Sequence, residues 1–83
     1  MTQVGRGPSA EVRIEAALVT VLRMAPGGTL EQLRDDAAAA LGDPGLPLDE
    51  VRAALVRLQD AERVMMRVGW YRLAEAERQR GAA

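Results

Sequence analysis

Few side chains in this chain can do chemistry. There is no His and no Cys, so the commonest general base, the thiolate nucleophile and the usual transition-metal ligands are missing. The hydroxyls are Thr2, Ser9, Thr20, Thr29 and Tyr71, and none has a base set beside it. Two acidic pairs, Asp35-Asp36 and Asp49-Glu50, are adjacent in sequence. Neighbours on a helix point about 100° apart and cannot share one site, so these pairs suit capping and solvation better than acid-base work. The expectation is a chain that is not an enzyme, with no cofactor, metal or small-molecule ligand. Recognition chemistry remains. All 11 basic residues are Arg, and residues 48–73 hold Arg52, Arg57, Arg63, Arg67 and Arg72 together with the chain's 1 Trp, Trp70. An Arg fork pairs with carboxylate, phosphate or guanine edges, and a Trp near an Arg is a typical interface anchor.

The elements that must position these groups lie in the same stretch, LDEVRAALVRLQDAERVMMRVGWYRL. Val51, Leu55 and Leu58 fall at i, i+4 and i+7, with Ala54 extending the stripe, which is one face of a helix. The pattern then changes to alternation in VMMR and WYRL. Val64, Met66, Tyr71 and Leu73 point to one side of a hairpin; Met65, Arg67, Trp70 and Arg72 point to the other. Val68-Gly69 is the tip, with Gly supplying a positive φ.

A helix with L-x-x-L spacing, then Val64, Gly69 and a Y-x-L close resembles the end of a winged-helix domain, and the resemblance covers about residues 10 to 73. One departure is visible: Glu62-Arg63 stands where many winged helices have Gly before the first wing strand. The resemblance implies an α+β fold of three helices followed by a two-stranded wing, with a short third strand near Thr29. It also implies double-stranded DNA as partner, the third helix lying in the major groove and the wing on the backbone. Carried onto this sequence, Arg52 and Arg57 face the groove, while Arg67 and Arg72 meet phosphate. The function it implies is that of a small transcriptional regulator.

The residues themselves leave a second reading open. Val12, Ala16 and Val19 repeat at helical spacing on the side of the first helix away from Ile14, Leu18, Val21 and Leu22. With Val56 on the outer face of the third helix and Met65 and Trp70 outside the hairpin, they form more outward apolar surface than a lone monomer needs. That surface fits a homodimer, the form expected of the DNA-binding regulator, or a protein-docking module without DNA binding. The charge supports this alternative, because the net charge is −1 and residues 48–73 carry five Arg against four acids. A polyanion partner usually selects a more basic surface.

Along the chain, residues 1–8 read as a flexible arm whose Arg6 reads as a solvated charge rather than a DNA contact. Residues 9–73 form the domain, and 74–83 a charged, frayed tail. Ser9 is a candidate cap for the first helix, which stops before Pro26-Gly27-Gly28. Thr29 to Gln32 reads as a capping box, with Leu30, Leu33, Ala37 and Leu41 as the inward stripe of the second helix. Gly42-Asp43-Pro44-Gly45 is a stop and turn, and the third helix starts at Pro47 or Leu48. The expected core is Ile14, Leu18, Val21, Leu22, Leu30, Leu33, Leu41, Val51, Leu55, Leu58, Val64, Tyr71 and Leu73. Abundant Ala, Gly and Arg without Lys or Asn is the usage of a GC-rich bacterial genome. No run is long and apolar enough for a membrane span or a signal peptide, so the expected compartment is the cytoplasm.

Overall fold

The computed structural model describes residues 10–82; the N-terminal arm, Arg6 and the Ser9 cap lie outside the described residues. The fold is α+β. Its order is α1 (Ala10–Met24), α2 (Leu30–Leu41), α3 (Leu48–Asp60), β1 (Val64–Arg67), β2 (Trp70–Leu73) and α4 (Glu75–Ala82). No helix among the described residues is long and apolar enough to cross a membrane.

α1 is the central element and packs against α2, α3 and β2. Three neighbours demand a wide buried arc, and Ile14, Ala17, Leu18, Val19 and Leu22 supply it. This corrects one expectation. Val19, read from its spacing as part of an outward stripe, is only 4% exposed and belongs to the core. At about 100° per residue it sits roughly 60° from Leu22, at the edge of the same arc. Val12 and Ala16 do face outward.

α2 opens on the expected capping box: Gln32 N–H donates to Thr29 Oγ1 at 3.3 Å and Thr29 N–H to Gln32 Oε1 at 3.0 Å. It closes on Gly42 at φ 66°, with the Asp43 amide reaching back to Ala38 O at 2.9 Å. Ala37 and Ala38 are buried, so the slim face of α2 lets α1 come close. In the turn that follows, Leu46 is also buried, held by Arg34, whose Nε donates to Leu46 O at 2.8 Å.

α3 buries Val51, Ala54, Leu55 and Leu58, the stripe expected from their spacing. Its end explains how the chain does without Gly before β1. Glu62 adopts φ 60°, the Arg63 amide donates to Leu58 O at 2.8 Å and the Glu62 amide to Gln59 O at 2.9 Å. These two bonds form a Schellman closure with a glutamate in the left-handed position that usually takes Gly.

The hairpin pairs Val64 with Leu73, Met65 with Arg72, Met66 with Tyr71 and Arg67 with Trp70. Only its base is sealed: Val64 and Leu73 are buried, Tyr71 is half-buried and Met66 is largely open. The third strand expected near Thr29 is reduced to one rung, in which Gly28 and Tyr71 exchange both main-chain bonds at 2.9 and 2.8 Å. The sheet itself is two-stranded. Residues 75–82, read from composition as part of a frayed tail, form α4. Its attachment is polar, which is why apolar patterning gives no sign of it.

Candidate binding surface

The outer face of the hairpin is where the chain gathers exposed apolar and cationic groups. Met65 stands opposite Arg72 and Arg67 opposite Trp70, so two rungs carry two arginines and two large apolar side chains. Directly opposed residues in an antiparallel pair lie about 5 Å apart at Cβ, close enough to form one surface. With Pro26, Met66 and Val68 these four line a concavity of about 650 Å³. Met65 and Trp70 are 50% and 44% exposed.

Trp70 is oriented by glycine. A Cβ on Gly27 would come within 2.3 Å of Trp70 Nε1 and 2.6 Å of Tyr71 O, and Gly27 has φ +157°. The indole therefore lies on bare backbone, with the hairpin held to the Gly28 rung just beyond. At the tip Val68 takes φ 51° and Gly69 φ 77°, both positive, as a type I′ turn requires. Asn or Asp normally precedes Gly there. A β-branched residue in that region costs about 1–2 kcal/mol, and Val68 is nevertheless 96% exposed.

The four arginines expected to contact DNA do not share one surface. Arg67 and Arg72 are together on the hairpin, exposed and without an ion-pair partner among the described residues. Arg52 is exposed on α3 and likewise unpaired among the described residues. Arg57 lies about 140° around the helix from Arg52 and turns toward α1, where its Nε donates to Glu15 Oε2. That hydrogen bond raises the Arg57 pKa above its ordinary value, outweighing the opposing effect of burial. Arg57 Nη2 is buried without a hydrogen-bond partner among the described residues. The outward side of α3 carries Asp49, Arg52, Ala53, Val56 and Asp60, an acid at each end.

Of the six expected interface residues, Met65 and Trp70 lie in the hairpin concavity. Val56 is exposed on α3, Val12 and Ala16 are exposed on α1, and Val19 is internal.

Sequence reasoning misses Glu77 altogether. This carboxylate is 3% exposed and accepts from three arginines: Arg23 of α1 at 2.9 Å, Arg63 before β1 at 3.1 and 3.2 Å, and Arg80 of its own helix at 2.6 Å. The hydrogen bond from Arg63 holds its pKa below the usual carboxylate range against the opposing effect of burial, with help from the charges of Arg63, Arg80 and Arg23. The Arg63 pKa is raised in turn. No apolar periodicity marks α4, and only the charge alternation in AEAERQR hints at it.

The chain matches no protein-family model, no curated protein and no solved structure.

Proposed function

We propose that this chain is a winged-helix docking module whose working surface is the outer face of its hairpin. The order of three helices, hairpin and a single rung at Gly28 supports the winged-helix reading. The docking reading rests on one observation: Arg67, Arg72, Met65 and Trp70 line a single concavity, two cations beside two large exposed apolar side chains. A clamp for a DNA backbone gains little from exposed Met and Trp, whereas a protein interface concentrates its binding energy on such anchors. The outward side of α3 supports the same conclusion. It ends in Asp49 and Asp60, and Arg57 is committed to Glu15.

A photo-crosslinking residue at Met65 or Arg72, compared with one at Val56, tests this in cells. Docking gives discrete protease-sensitive adducts from the hairpin positions and none from Val56. Nuclease-sensitive adducts from the hairpin and α3 together return the function to DNA. That second reading, a DNA-binding regulator, is favoured by the exposed, unpaired state of Arg52, Arg67 and Arg72 among the described residues. It predicts binding that falls steeply with salt. The homodimer expected from the α1 stripe keeps Val12 and Ala16 in support and loses Val19.

A further inference from the structure

We infer that the hairpin concavity takes an acidic segment of a partner protein, an amphipathic turn in which Asp or Glu flanks one large aliphatic or aromatic side chain. This rests on the docking reading and adds the chemistry of the partner. Charge supplies the first argument. The concavity contains Arg67 and Arg72 and no acid. All 12 acidic residues of the chain lie outside it, against the remaining nine of its 11 arginines. Five of those nine already face carboxylates of this chain: Arg34 faces Asp35, Arg57 faces Glu15, and Arg23, Arg63 and Arg80 share Glu77. The surface outside the concavity carries three more acids than arginines, and Asp35 and Asp36 lie on the far side of Trp70, so an acidic segment is drawn to the Arg67 and Arg72 side of Trp70 and a basic segment is not.

Shape and apolar character supply the second. Pro26, Met65, Met66, Val68 and Trp70 form walls that a purely ionic partner would leave wet. A volume of about 650 Å³ matches sites that enclose side chains rather than single ions. Met65 adapts to different apolar shapes, while Trp70, seated on Gly27, provides a fixed platform. Arg67 and Arg72 occupy diagonal positions on neighbouring strands, about 7–8 Å apart. Carboxylates one helical turn apart, about 5–6 Å at Cβ, reach both. Two arginines also release few counterions, which makes this face a weak backbone clamp.

Trp70 is the only Trp, so the intrinsic emission of the whole protein reports on the concavity. The test titrates the intact chain at physiological salt with four probes: an amphipathic Leu/Glu peptide, a Leu/Lys peptide of the same pattern and length, poly-Glu, and a short random duplex. The expected result is a saturable blue shift with the Leu/Glu peptide alone. Binding should weaken about tenfold or more in Arg67→Glu/Arg72→Glu, and less in Arg67→Gln/Arg72→Gln, both with unchanged melting temperature. Equal binding of the Leu/Lys peptide overturns the acidic assignment and leaves docking intact. Equal binding of poly-Glu overturns the apolar half of the assignment. A shift with duplex and with no peptide overturns the docking reading itself. Silence toward the Leu/Glu peptide, with Trp70 still open to iodide quenching, overturns the assignment, and the crosslinks then judge docking separately.

Discussion

Removing the Glu77 carboxylate should release α4 from the body of the domain. The helix has no apolar stripe, and a single buried carboxylate ties it to Arg23 on α1 and Arg63 at the entrance to β1. A charge-assisted hydrogen bond contributes about 1.5–3 kcal/mol when desolvated, and an exposed ion pair about 0–1. The arginine side chains are 37%, 40% and 67% exposed for Arg23, Arg63 and Arg80. Arg80 therefore counts as a surface partner, and the other two fall between the limits. The sum for Glu77→Ala is about 2 kcal/mol. It stays below the penalty for a stranded buried charge because all three guanidinium groups can turn to water.

Hydrogen exchange of the α4 amides reads this locally, and chemical denaturation reads it globally. Acid provides an independent arm. Because the folded-state pKa of Glu77 is depressed, its contribution is complete above the ordinary carboxylate range and is lost as pH falls through the depressed value. Wild-type α4 protection should fall in that window, and Glu77→Gln should already be unprotected above it. Unchanged α4 protection in Glu77→Ala, or an identical acid-induced loss in Glu77→Gln, refutes the clamp.

Leu55→Ala, at a fully buried position on α3, should cost on the order of 2–5 kcal/mol in denaturation. That is a large part of the roughly 4–12 kcal/mol a domain of this size has. Val19→Glu should destabilise the chain rather than only shift its sedimentation, since a carboxylate at that 4% exposed position has no partner; the expected loss is about 3–5 kcal/mol in denaturation. Glu62→Gly should stabilise by about 1 kcal/mol, because φ 60° is strained for Glu and free for Gly; a lower melting temperature refutes the Schellman closure. Gly27→Ala should displace Trp70 and shift its emission to longer wavelength, because the new methyl overlaps the indole and the Tyr71 carbonyl.

The α3 stripe and the hairpin were legible because the hydrophobic period changes there from helix to strand within a few residues. The Thr29 box was legible because capping is local chemistry. What escaped depends on distant residues. Periodicity places Val19 away from Ile14, but only the three neighbours of α1 show that the buried arc extends that far. Leu46 lies in a turn that looks solvated until Arg34 holds its carbonyl. Arg57 looks as available as Arg52 until α3 is laid beside α1, bringing it to Glu15, 42 positions earlier. Glu77 is the extreme case, an anchor made of charge in a segment with no hydrophobic pattern. At the candidate surface the alternation was enough to put Met65, Arg67, Trp70 and Arg72 on one face. The support beneath Trp70 was not readable, because it depends on a glycine 43 residues earlier being unable to accept a Cβ.

The single rung between Gly28 and Tyr71 gives the hairpin the mechanics of a cantilever. The rung, the buried Val64 and Leu73 and the seat of Trp70 on Gly27 clamp its root, while Arg67 to Gly69 form the free length beyond. A partner pulling on that length bends it about the rung before it disturbs the core. What load does pass inward travels along β2 into Gly28 and the adjoining Thr29 cap, and along β1 into the end of α3, against which that strand packs. The free length can therefore vary in sequence and adapt in shape with little effect on the stability of the helices that carry it.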